Sequence, residues 1–453
     1  MITTRRQFLQ GLAPIAGALA APNLLRAANL NSRLQHACVG VGGMMGYNDF
    51  QLFNQNSRTD VVAICDIDET DIERALKEAP HARVYRDWRE MLAKEGDKID
   101  SLNASVPDHM HAPICHTAMS AGKHVYCQKP MCHDVAEIRA LTELAARKKV
   151  KTQLGNQHAS SLGERMTVAW LQAGVIGKIK HVYLCSNRES GMAYRLNQTN
   201  YPKVAVPASV NWDLWLGTAP ERPYAADVYH PSKWRSWLDF GTGWLGDIGC
   251  HIFNAPWKGL SLKAPISIKA RVNKGWLDSA ELQSQLWPQA NHVTWVFPGN
   301  SRTAESTLTM EWFDGIEPDF YIPEEFRKLY PGEKFPEEAA LFIGEKGALL
   351  LPHTSGPRLL PIEKFADVKR PQVKGGNHYE GFVNSILDGV PLESPFEIAG
   401  PMSEAVILGS VAVRNPGQVL EWDSVALKFT NSPKASGMLR RSYRDGWKID
   451  GLG

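Results

Sequence analysis

Gly40-Val41-Gly42-Gly43-Met44-Met45-Gly46 closes an apolar run at residues 35–41 and opens a stretch with helical spacing. A strand that turns sharply into a helix needs glycines there, so that the backbone can approach a pyrophosphate seated on the helix N-terminus. The usual third glycine position holds Met45, with Gly46 one residue later, so the helix is expected to start late or to sit slightly further out. Such a loop by itself also suits a strand that merely bends.

Asp66 ends the next apolar run, Val62-Ala63-Ile64-Cys65-Asp66-Ile67-Asp68. A carboxylate at that place accepts from both ribose hydroxyls and repels a 2′-phosphate, which favours NAD over NADP. The competing reading is that Asp66 or Asp68 caps the following helix. Outward from this pair, short apolar runs at residues 61–65, 83–85, 101–105, 124–128 and 151–155 alternate with helical stretches at 69–78, 88–94, 112–121 and 135–148. That alternation predicts a parallel sheet flanked by helices, a Rossmann domain over residues 34–156. After Gln157 longer β-rich runs at 266–272, 292–297 and 306–312 predict a second α/β domain over 157–453. Its sheet is expected to be large, open and mostly antiparallel. Residues 195–240 are irregular, rich in Pro, Tyr and Trp, and read as loops over a site.

The 453 residues are 43% hydrophobic and 22% charged, with a formal net charge of +2 and no long basic run. This balance suits a globular protein of two domains and gives no reason to expect nucleic acid or an anionic membrane as partner. The seven cysteines are odd in number and form no C-x-x-C pair, so buried thiols are expected rather than disulfides or a zinc site. Thr4-Arg5-Arg6-Gln7-Phe8-Leu9-Gln10 leads into an uncharged apolar stretch. It reads as a twin-arginine export signal over residues 1–30, with a periplasmic or extracellular destination. The apolar stretch is too short for a permanent span, and no later segment is expected to supply one.

Further motifs carry a resemblance. Pro107-Asp108-His109-Met110-His111, Gln128-Lys129-Pro130 and Gly246-Asp247-Ile248-Gly249-Cys250-His251, in this order behind a dinucleotide loop, resemble the Gfo/Idh/MocA oxidoreductases, in particular exported members of the glucose-fructose oxidoreductase type. The resemblance implies that these elements meet at the nicotinamide ring, that Lys129–Pro130 is cis, and that the protein is a homo-oligomer, dimer or tetramer. The candidate cofactor contacts are the loop residues Gly40, Gly42, Gly43, Met44 and Met45, then Asp66, Ser105, Pro107 and His111. Gln128, Lys129, Asn156 and Gln157 complete them. The family usually has Glu where this chain has Gln128, which removes a negative neighbour from Lys129.

Moving hydride from a carbinol carbon requires a base for the hydroxyl proton and a positive group for the developing oxyanion. Lys129 suits the second role, unless it is a solvated loop lysine. Asp247 and His251 are four apart and share one helix face. His251 is the candidate base, Asp247 the group that orients it or the substrate; the alternative is a helix-capping Asp beside a structural His. His109, His111 and His116 lie close in sequence but lack a partner at a recognised ligand spacing, so no metal is expected. Tyr229, His230, Trp234 and Arg235, with Arg188, are the candidate substrate contacts, since aromatic faces pack on a sugar ring while Arg and His bond its hydroxyls.

An exported enzyme that released its cofactor would stall, so the nucleotide is expected to stay bound and be recycled. One sugar is then oxidised and another reduced, or one glycoside is oxidised, altered and re-reduced, as in NAD-dependent glycosidases. A lyase acting on a 3-keto sugar and a non-catalytic sugar-binding protein are the remaining readings.

Overall fold

A computed structural model of the chain describes residues 33–452 apart from 189, 190, 192, 193, 316–322 and 330. The segment read as an export signal lies outside the described residues.

Six strands, β1 (Leu34–Val39), β2 (Thr59–Cys65), β3 (Arg83–Tyr85), β4 (Ser101–Ala104), β5 (His124–Cys127) and β6 (Thr152–Leu154), form an all-parallel sheet in the order β3-β2-β1-β4-β5-β6. Strands β4 and β6 are buried along their whole length, because crossover helices cover both faces of a parallel sheet. Among those helices are α1 (Met45–Asn54), α2 (Glu69–Leu76) and α3 (Val135–Lys148). Asp134 and Glu137 start α3 with a reciprocal capping box. The strand order reverses between β1 and β4, and such a switch point opens a crevice at the carboxyl ends of the strands.

A mixed sheet follows in the order β13-β12-β11-β7-β10-β9-β8-β14-β15. Its strands are β7 (Ile179–Ser186), β8 (Ser267–Val272), β9 (Asn291–Pro298), β10 (Thr307–Asp314), β11 (Glu338–Gly344), β12 (Ala348–Pro352), β13 (Arg358–Leu360), β14 (Val419–Asp423) and β15 (Lys428–Phe429). Only β7 and β10 pair in parallel; the other neighbours are antiparallel. Residues of β9 alternate between buried and partly buried, the pattern of a sheet with one covered face. Helices α4 (Gly243–Ile252) and α6 (Phe396–Val413) lie on the covered side, and Trp295 of β9 donates its indole N–H to Ala405 O of α6.

Helix α6 corrects the expectation that no later segment could span a membrane. It has 18 residues and a mean hydropathy of 1.4, yet 83% of it is buried inside the protein, where it is a core helix between the two sheets. The polypeptide also returns to the first sheet late in the chain. In α5 (His378–Asp388) the Tyr379 hydroxyl donates to Asp49 of α1, and Gln153 of β6 donates to His378 O. Arg441 then ties the carboxyl-terminal segment to Glu137 of α3 at 2.8 Å. All seven cysteines are buried free thiols.

Candidate active site

The glycine loop is built for close approach. Gly40 has φ +82°, and a Cβ there would lie 2.3 Å from Ser105 O of the neighbouring strand end. A Cβ on Gly46 would lie 2.9 Å from Gly40 O. Helix α1 begins at Met45, so Gly46 makes the tight helix-to-loop contact that a third glycine serves, displaced by one residue.

Beside this loop lies a cavity of about 470 Å³. Gly40, Gly42, Gly43, Met44 and Met45 line it together with Asp66, Ser105, Pro107, Gln128 and Lys129. Asp68 caps α2 through Thr70 N–H, which leaves Asp66 to the cavity. Asp66 accepts from Val41 N–H at 2.8 Å and Asp68 N–H at 3.2 Å, while burial and the charge of Asp71 raise its pKa. A loop whose glycines admit a backbone-hugging ligand, with a buried carboxylate at the end of β2, fits a dinucleotide.

Of the cofactor candidates, His111, Asn156 and Gln157 do not line this cavity, and neither do the catalytic candidates Asp247 and His251. His111 is a brace, with its ring nitrogens 2.7 Å from Pro130 O and 2.8 Å from Val106 O. Burial lowers its pKa to about 4, so the ring is neutral and donates to one of those carbonyls. Asn156 and Gln157 sit past β6, with both amide atoms of Asn156 buried and unpartnered. Asp71, Arg74, Arg86, Leu214 and Trp215 line the cavity as well. Asp71 and Arg74 are three apart on α2, a spacing that reads in sequence as an ordinary surface pair.

Lys129 follows β5 across a cis bond to Pro130. Its Nζ lies 2.7 Å from Asp247 Oδ1 and 3.1 Å from Asp247 O on α4. Arg235 Nε donates to the same Oδ1 at 3.1 Å. Burial alone would raise the pKa of Asp247, but the Lys129 and Arg235 charges outweigh it and hold the carboxyl at about 2. Asp247 Oδ1 holds Lys129 and Arg235 and makes no bond to His251, so of its two expected roles the structure does not show the orientation of His251. Lys129 is no solvated loop residue, its side chain being 9% exposed. His251 ends α4 with Nδ1 buried and without a partner, and burial with the nearby His353 and Lys129 pushes its pKa well below the usual value.

Asp108 was overlooked as well. It accepts from Thr242 N–H and Oγ–H, which start α4, and burial beside charged Asp247 raises its pKa to about 7. A polar residue inside a Pro-Asp-His motif reads as a cap, and only the fold brings it beneath Asp247.

Of the substrate candidates, His230, Trp234 and Arg235 line the cavity. Tyr229 does not: it is 7% exposed and packs in an aromatic cluster with Trp215, Trp237 and Phe240. Arg188 stands apart from the cavity, over the Trp244 ring at 5.6 Å. His109 bonds Trp215 O at 3.1 Å, so both it and His111 spend ring nitrogens on backbone carbonyls rather than on a shared ligand.

Residues 34–156 match the oxidoreductase family with an NAD-binding Rossmann fold, described as GFO_IDH_MocA, and residues 169–280 match that family's C-terminal alpha/beta domain. A glycosyl hydrolase family 109 protein of Shewanella sp. (strain ANA-3) is 26% identical over 205 residues, 39% of this chain and 44% of that protein. Levoglucosan dehydrogenase of Pseudarthrobacter phenanthrenivorans is 23% identical over 199 residues, 44% of this chain and 41% of that one. The chain therefore spans less than half the length of these curated relatives. The WlbA dehydrogenase of Bordetella pertussis, solved with NADH and UDP-GlcNAcA, shares the fold at TM-score 0.59 and 15% identity, over 86% of this chain and 99% of that one.

Proposed function

The chain belongs to the Gfo/Idh/MocA oxidoreductase family and carries its NAD-binding Rossmann domain, and from that premise we propose that it moves hydride between a retained NAD and a carbinol carbon of a sugar or glycoside. In this reading Lys129, paired with Asp247, stabilises the alkoxide, and neutral His251 takes the hydroxyl proton. NAD supplies the hydride acceptor; the chain's own residues bind it, orient the substrate and move the proton.

The observation that carries the reading is the strap formed by residues 209–235. Glu69 N–H donates to Ser209 O at 3.0 Å, Asn211 N–H to Ile67 O at 2.9 Å, and Arg86 to Ser209 O at 2.8 Å. The strap is thereby stapled across the carboxyl end of β2, and its Leu214, Trp215, His230, Trp234 and Arg235 form the wall opposite the glycine loop. A nucleotide there would lie between the strap and the glycine loop, which suits a cofactor retained and recycled in each turnover. The amino-terminal Arg-Arg segment supports export of the folded, loaded protein. Nucleotide released by denaturing the gel-filtered protein tests this: NAD in near-equimolar amount is expected, and protein free of nucleotide would overturn retention.

A second reading follows from the names of the family 109 relatives. Oxidation at C3 of a glycoside acidifies the C2–H; loss of that proton expels the C1 substituent, water adds to the resulting double bond, and the hydride returns to C3. The net reaction is hydrolysis, with no external oxidant.

A further inference from the structure

Three imidazole rings meet beyond the cofactor cavity. His158 lies in the turn Gln157–Ser160 after β6, His251 ends α4, and His353 follows β12. Ring centroids are 4.7 Å apart for His158–His353, 5.3 Å for His251–His353 and 5.7 Å for His158–His251. Glu338 stands at the same end of the strands, where it accepts from the Ser186 hydroxyl at 2.7 Å and lies 3.6 Å from Arg188 Nε, while its carbonyl accepts from His353 N–H at 2.8 Å.

The polar atoms here are open. Among the described residues, His251 Nδ1 and both amide atoms of Asn187 are buried without hydrogen-bond partners, and Asn187 and His251 are 9% and 6% exposed. A buried polar group without a partner is costly, so several at one place mark a surface that a hydroxyl-rich ligand completes. Charge narrows the class. Burial lowers the pKa of all three rings, against the charge of Glu338 at His158 and with the help of neighbouring histidines and Lys129 at His251 and His353, the last held at about 3, and Glu338 offsets Arg188. A neutral imidazole offers one donor and one acceptor, as a hydroxyl does; a carboxylate or phosphate would find no net positive charge. Lys129 and Arg235 line the cofactor cavity and bond Asp247, four residues before His251 on α4, and the two outer rings pack against His251.

We propose that His158, His353, Asn187, Arg188 and Glu338 form a subsite for an uncharged sugar unit joined to the ring that is oxidised beside His251. The proposal rests on the glycoside reading above. Its test is a tryptophan-fluorescence titration of the loaded protein with a glucose disaccharide, the matching methyl monoglucoside, and the disaccharide whose outer unit is glucuronate. The neutral disaccharide is expected to bind tightest, and His353→Ala and His158→Ala each to cut the disaccharide-to-monosaccharide affinity ratio about tenfold, with His353→Gln recovering part of it. Equal affinities in the unaltered protein, tighter binding of the glucuronate, or an unchanged ratio in both alanine variants would overturn it. Sugar binding without reduction of the bound nucleotide would instead count against the oxidoreductase reading alone.

Discussion

Gln128 Nε2 donates to both carboxylate oxygens of Asp49, at 2.9 and 3.2 Å, in a part of the protein where both residues are fully buried. Asp49 also accepts from Ser105 Oγ at 2.6 Å and Tyr379 Oη at 2.7 Å, and burial raises its pKa. An acid is therefore buried against position 128 although that position is Gln: it stands on α1, and Gln128 donates to it. Gln128→Glu sets two buried carboxylates against each other and is expected to destabilise the protein by about 2 kcal/mol or more. Adding Asp49→Asn should restore most of the loss, as denaturant midpoints would show. Equal stability of Gln128→Glu and the unaltered chain would refute the pairing.

The glycine loop separates space from backbone conformation. Gly40→Ala would put a methyl 2.3 Å from Ser105 O at a φ of +82°, and is expected to abolish nucleotide retention. Gly43→Ala has φ +60° but nothing within 4 Å, so it should strain the loop only mildly, by about 1 kcal/mol. Nucleotide content per chain distinguishes the two.

Asp247 connects catalysis with acid stability. Asp247→Asn removes the partner of both Lys129 and Arg235, and should lower the rate of hydride transfer by roughly 10²–10⁴-fold. Because its folded pKa is depressed to about 2, its ionised form stabilises the fold above the ordinary carboxylate range, and that stability is lost as pH falls from about 4 through 2. Acid unfolding of Asp247→Asn should be correspondingly less steep over that window. An identical acid transition would show that the ion pair does not form.

The base should work below the usual histidine range. His251 faces His353, Lys129, His158 and His378, all of which with burial lower its pKa. Its neutral form is the proton acceptor, so the rate of substrate oxidation is expected to stay level as pH falls from about 8 to about 6. A single-turnover profile that drops at about 6.5 or above would assign the proton to another group.

The first sheet was largely legible in the sequence, because each crossover unit carries its own local signals. Arg83–Tyr85 and Val135–Lys148 fall where apolar period and capping predict them. The second half was less so: the β7–β10 pairing joins residues far apart in sequence, and nothing local states that neighbour. The site divides in the same way. Lys129, Asp247 and His251 lie in motifs that mark them as candidates. Tyr229 was misplaced because a tyrosine among tryptophans reads alike in a core and on a sugar platform. Asp49, Asp108, His158 and His353 were missed because each looks like a common helix, turn or strand-end residue until the fold gathers them.

The most direct test of the central claim is the near-ultraviolet absorbance of the purified protein, recorded before and after adding a panel of glycosides with no external nucleotide. Appearance of the reduced-nicotinamide band, abolished by Lys129→Met, is the expected result. Stoichiometric NAD in the protein that no glycoside reduces would contradict hydride transfer to a retained cofactor.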